Sequence, residues 1–114
     1  MLKYSEHLDR MFHALADSTR RAMVEHLVSS PASVSDLARP FAMSMPAVVQ
    51  HLKVLEDAGI VTSQKVGRVR TVQLAPDALA VGGEWIGRQR VPAEQQLDRL
   101  GNLLAEHDTH PKEN

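Results

Sequence analysis

This sequence predicts a mainly helical domain with one small β-hairpin, in the order α-α-α-α-β-β-α-α. Three observations predict it. Apolar residues recur at helical spacing in four successive segments, each bounded by a capping residue or a proline. After Gly59 the period changes, in two short runs rich in β-branched residues. Two more segments with helical apolar spacing close the chain.

Tyr4, Leu8, Met11, Phe12 and Leu15 make one apolar stripe, which places a first helix at about residues 5–16. Asp17-Ser18 ends it and caps a second helix over about 19–29, with Met23, Val24, Leu27 and Val28 inside. Ser30-Pro31 stops that helix, because a residue before proline is pushed out of the helical region. Ser33 caps a short third helix at about 34–39, anchored by Val34, Leu37 and Ala38 and ended by Pro40.

A tight Phe41-Ala42-Met43 connection leads to the fourth helix, whose start, faces and stop are all written out. Ser44 is a good N-cap, since its hydroxyl can accept a free N–H of the first turn. Pro46 falls in that turn, where a missing N–H costs nothing. Val48, Leu52 and Leu55 point inward, and Gly59 supplies the left-handed residue that ends the helix. Two short helices joined by a few residues form a helix-turn-helix. Gln50, His51 and Lys53 lie off the apolar stripe, and such a polar face can enter a DNA major groove.

Ile60–Lys65 and Val69–Leu74 read as strands, with Gly67 at the turn between them. Lys65, Arg68 and Arg70 put cations on this hairpin, which makes it a wing beside the recognition helix. Pro76-Asp77 opens a helix running to about Gln89, with Leu79, Val81, Trp85 and Ile86 on its stripe. Gly82-Gly83 weaken it by about 1 kcal/mol each. Pro92 breaks or restarts the helix, and Leu97, Leu100, Leu103 and Leu104 mark a last one at about 93–106. Residues 1–107 are expected to form one DNA-binding and dimerisation domain, with 108–114 a polar tail.

With 114 residues and 43% hydrophobic content, one globular core can form, built from aliphatic and Met side chains because aromatics are only 4%. No apolar run spans a bilayer and no signal peptide is visible, which fits a cytoplasmic protein. Zero cysteines exclude a disulfide framework and a thiolate metal site. The net charge is −1, but it is unevenly spread. Residues 18–74 hold seven Lys/Arg against four Asp/Glu, while both ends are acidic, as suits a DNA-contacting centre. There is no Gly-rich phosphate loop and no acid–base pair placed to suggest a cleft, so no enzyme is expected.

Several motifs stand in one order: Phe12-His13-Ala14-Leu15-Ala16-Asp17-Ser18-Thr19-Arg20-Arg21, then Ser33-Val34-Ser35-Asp36-Leu37-Ala38, then Met43 through Leu55, then Glu56-Asp57-Ala58-Gly59-Ile60-Val61 and Gly67-Arg68. Together, over roughly residues 7–75, the chain resembles the ArsR/SmtB family of dimeric winged-helix repressors. The resemblance implies a homodimer, operator DNA and transcriptional repression, with autoregulation among the possibilities. Metalloid sensors of the family carry Cys-Val-Cys on the third helix. Ser33-Val34-Ser35 stands there instead, and a hydroxyl does not replace a soft thiolate for arsenite or cadmium. The family also often has Ser where Val49 stands.

The expected DNA-binding residues are Ser44, Met45, Pro46, Ala47, Gln50, His51, Lys53, Lys65, Gly67, Arg68 and Arg70. Gln50 can pair with adenine, and His51 can donate to guanine or to a phosphate. Met45, Pro46 and Ala47 offer apolar contact to thymine methyls. Ser44 and the first-turn N–H groups suit a phosphate oxygen. Arg68 reaches the minor groove or the phosphates, and Lys65 and Arg70 meet phosphates. One of Arg20 and Arg21 is expected to pair structurally and the other to contact phosphate.

Leu8, Met11, Phe12, Leu15, Trp85, Leu97, Leu100 and Leu104 are the expected dimer interface, with Trp85 as an anchor. No cofactor or metal is expected, and no inducer is legible. A zinc-type sensor of the same family, using His107 and His110, is the alternative, although the usual Asp-x-His partner is missing. A protein–protein module is a more distant one.

Overall fold

The computed structural model describes residues 2–89 and 92–107. The elements are α1 (Leu2–Leu15), α2 (Ser18–Ser29), β1 (Ala32–Ser33), α3 (Val34–Ala38), α4 (Met45–Asp57), β2 (Val61–Val66), β3 (Val69–Leu74), α5 (Ala80–Arg88) and α6 (Pro92–His107). All eight expected elements are present, within a few residues of their expected bounds. The sheet has a third strand, however. β1 pairs with β3 through Ala32↔Val72 and Ser33↔Thr71, giving the antiparallel order β1-β3-β2. The chain divides into two compact units, residues 1–82 and 83–114.

Three capping side chains set the helix starts of the first unit. Asp17 Oδ2 accepts the Arg20 N–H at 3.0 Å. Ser33 Oγ accepts from Asp36 at 3.1 Å, and Ser44 Oγ accepts from Ala47 at 3.3 Å. At the far end of α4, the Gly59 N–H reaches the Glu56 carbonyl at 2.9 Å and the Ile60 N–H reaches the Leu55 carbonyl at 3.0 Å. These two bonds, with Gly59 at φ +78°, form a Schellman motif, and Leu55 and Ile60 are both fully buried beside it.

Gly59→Ala is therefore expected to cost about 1–2 kcal/mol, because an L side chain is strained at that φ. The new Cβ would also lie 3.4 Å from His7 Cε1. Urea denaturation of the two proteins measures this loss.

Val66 pairs with Val69, leaving Gly67-Arg68 as a two-residue hairpin loop. Gly67 has φ +63°, and among the described residues the only other positive φ values are at Gly59 and Asp77. A positive φ at the first loop position alone is what a type II′ turn uses, and its twist matches that of the paired strands. Asp77, at φ 54°, turns the chain before α5, so Pro76-Asp77 makes a turn and not a helix start.

The core of the first unit joins Met11 and Ala14 of α1, Met23, Val24 and Leu27 of α2, Leu37 of α3, and Val48, Leu52 and Leu55 of α4. Ile60, Val61 and Val72 close it from the wing side. This corrects the expected interface in two places. Met11 is 1% exposed and Leu8 8%, so their apolar area is spent within the subunit. Gly82 fits here by lacking a side chain, since a Cβ would come within 2.7 Å of Met11 Sδ. In the second unit, Leu97, Leu100 and Leu104 share a face of α6 and are all more than half exposed.

Candidate nucleic-acid interface

Helix α4 has three distinct sides. Val48, Leu52 and Leu55 fix its inner side in the core. At 3.6 residues per turn, Pro46, Gln50 and Lys53 then fall on the outer side. One flank, carrying His51, faces α2. The other flank, carrying Met45 and Val49, faces the wing and lines a cleft with Val69, Arg68 and Arg70. The expected DNA-reading residues of α4 thus lie on more than one of its sides. Pro46, Gln50 and Lys53 are exposed, Ala47 is half-buried, and the Ser44 hydroxyl is occupied in capping.

His51 is engaged on the α2 side of the helix. Its Nδ1 lies 3.1 Å from Arg20 Nη1 and 3.8 Å from Asp17 Oδ2, with the side chain only 22% exposed. A guanidinium only donates, so in this contact Nδ1 accepts. Arg20 also donates from Nε to the Ala14 carbonyl at 2.7 Å and from Nη2 to the His13 carbonyl at 3.2 Å. Arg21 donates to the Leu15 carbonyl at 2.8 Å. These carbonyls belong to the last turn of α1, where i+4 helical donors run out, although the His13 carbonyl also accepts the Ala16 N–H at 3.2 Å. Both arginines therefore cap α1. The structural role expected of one of them is thus filled by both.

The N-cap bond from the Arg20 N–H holds the Asp17 carboxyl below the usual carboxylate range, against desolvation and with the Arg20 guanidinium charge assisting. A depressed acid contributes stability above its unfolded-state pKa and loses it as pH falls through the folded value. Asp17→Asn keeps a capping oxygen without the charge. Its stability is expected to depend less on pH below about pH 4 than the wild type's. Urea midpoints from acid to neutral pH read this difference.

On the wing, Arg70 Nη1 donates to Ser63 Oγ at 3.0 Å, and Ser63 Oγ donates to Glu56 Oε2 at 3.3 Å. This chain ties β3 to the end of α4, so Arg70 also braces the wing. Lys53 pairs with Asp57 at 3.6 Å across an exposed helical turn. Such a pair is worth only about 0.3–0.5 kcal/mol and leaves the ammonium open to exchange. Arg68 sits on the hairpin loop and Lys65 beside it, both exposed. Among the described residues neither forms a hydrogen bond or an ion pair. They are the free cations of the wing.

Val49 is not among the expected DNA-binding residues, although the Ser that the resembled family often has there marks the position, and it stands beside Met45 on the wing-facing flank. Among the expected interface residues, Phe12 is partly exposed and Leu15 packs against the core. Trp85, Leu97, Leu100 and Leu104 remain 40–66% exposed. Among the described residues no three His, Cys, Asp or Glu groups come together as a metal site. His110 and the side chain of His107 lie outside the described residues. No helix among the described residues is long and apolar enough to cross a membrane.

Comparison with known proteins agrees with this geometry. The sequence model of a helix-turn-helix domain family matches residues 15–64. The HTH-type transcriptional regulator Rv2034 of Mycobacterium tuberculosis is 51% identical over 72 residues, covering 63% of this chain and 67% of that protein. The HTH-type transcriptional repressor SmtB of the same species is 39% identical over 70 residues, covering 61% of this chain but only 52% of its own length. Among solved structures, an ArsR family transcriptional regulator superposes with a TM-score of 0.72 at 39% identity, covering 83% of this chain and 93% of that one. A possible transcriptional regulator for arsenical resistance gives 0.65 at 36% identity, covering 76% and 91%.

Proposed function

Because this chain belongs to the ArsR/SmtB family of winged helix-turn-helix transcriptional regulators, we propose that it acts as a homodimeric repressor of a palindromic operator. The observation that carries this reading is the pairing of two surfaces. The outer side of α4 presents Gln50 and Lys53, and the neighbouring wing presents the free cations Arg68 and Lys65. The outer side of α4 enters the major groove. Gln50 pairs there with an adenine, and the wing grips the phosphates or the adjacent minor groove. The first-turn N–H groups of α4 that Ser44 leaves open meet a phosphate oxygen.

The second unit supplies the two-fold contact. Leu97, Leu100 and Leu104 on one face of α6, with Trp85 of α5, form apolar surface of the kind that pairs subunits. Residues 1–107 then work as one functional domain in each subunit. Two recognition helices enter successive major grooves about 34–36 Å apart. The site of action is wherever the chromosome is exposed, in the bacterial cytoplasm.

Two variants separate the roles. Arg68→Ala is expected to weaken binding to operator and scrambled duplexes alike, roughly tenfold or more for a dimer that loses two cationic contacts. Gln50→Ala is expected to lower affinity for the operator alone, by about 1–3 kcal/mol per lost base pair contact. Gel-shift titrations of both variants on both duplexes decide. Equal losses everywhere for Gln50→Ala would refute base reading at that position.

A further inference from the structure

Met45 and Val49 stand one helical turn apart on the flank of α4 that faces the wing, and they are 46% and 51% exposed. The core beneath them is already closed by Val48, Leu52 and Leu55, so neither is needed to complete it. An apolar pair left in water on a helix wants an apolar partner. Their cleft, about 400 Å³ in volume, is also lined by Ser33, Val34 and Ser35, and the wing adds Val69 flanked by Arg68 and Arg70. Two guanidiniums select a polyanion as the occupant, and the free cation Lys65 extends the same field along the wing.

The major groove of DNA offers such a polyanion one strongly apolar feature on its base edges, the C5-methyl group of thymine. We propose that Met45 and Val49 read thymine methyl groups in the operator. This inference rests on the DNA-binding reading above. Four helical residues span about 6 Å along the axis, so the two side chains address different base steps. Gln50, next to Val49 and on the outer side, suits adenine on the same stretch. The half-site is therefore built around A·T pairs whose thymines lie under the wing-facing flank of α4. A hydroxyl or amide at either position would read hydrogen-bonding edges instead.

The test begins with duplexes selected from a random pool by the full chain. Each thymine of the selected site is then replaced by uracil, which removes only the methyl group. The wild type is expected to lose about fourfold in affinity at one or two thymines per half-site. Val49→Ser and Met45→Gln, both at exposed positions, are expected to bind with unchanged salt dependence. Each should be indifferent to uracil at its own thymine.

Unchanged affinity at every uracil, or equal losses for wild type and both variants, would overturn the assignment while leaving DNA binding intact. Failure to select or bind any duplex at low salt would overturn the underlying reading and this one with it.

Discussion

Leu55→Ala is expected to destabilise the first unit by about 3 kcal/mol, within the range of 2–5 found for fully buried leucines. The position combines two roles. Its side chain is wholly buried in the cluster that includes Val48, Leu52 and Ile60. Its carbonyl accepts the Ile60 N–H that closes the Schellman motif. Truncation leaves a cavity at the point where α4 turns into the wing, a place already fixed by the φ of Gly59 and so poorly able to collapse. Against a total stability of about 5–15 kcal/mol, the loss is large enough to shift the urea midpoint clearly. A loss under about 1 kcal/mol would mean that α4 is not anchored through this side chain.

Arg20→Ala is expected to cost about 2 kcal/mol, although the residue is neither apolar nor fully buried. One guanidinium meets the Ala14 and His13 carbonyls and His51 Nδ1. Its removal takes the capping donors from α1 and lets the imidazole of α4 rotate. Arg21 is the control. It makes one exposed bond, to the Leu15 carbonyl, and Arg21→Ala should cost only about 0.5 kcal/mol. Arg20→Lys keeps the charge but loses the fork, so it should fall between the two. Similar losses for Arg20→Ala and Arg21→Ala in urea unfolding would show that the contact with His51 carries no stability.

Helix α4 was legible in the sequence almost residue by residue, because caps, proline, stripe and terminal glycine are local signals. The wing was legible for the same reason, through Gly67 and its β-branched flanks. β1 was not, since two residues carry no periodicity. Ala32 and Ser33 become a strand only by lying beside Val72 and Thr71.

An apolar stripe reports that a helix face is buried but not against what. That is why the stripe alone points Leu8 and Met11 to a subunit interface, whereas the fold buries them inside the subunit. The binding of His51 by Arg20 links positions 31 residues apart, and no spacing rule reaches that far. The same link explains the division of labour in α4. The flank towards α2 is committed to holding the helix in place. The outer side and the flank towards the wing are left for a partner.

The salt dependence of duplex binding by the full chain tests the central claim most directly. With Arg68 and Lys65 unpaired in each subunit, the proposed dimer brings at least about four phosphate contacts, giving a log–log slope of about −3.6. Affinity for a selected duplex, read by fluorescence anisotropy, should then fall about a hundredfold between about 50 and 200 mM salt. Binding that ignores salt, or no binding in dilute buffer, would contradict the assignment of α4 and its wing to DNA.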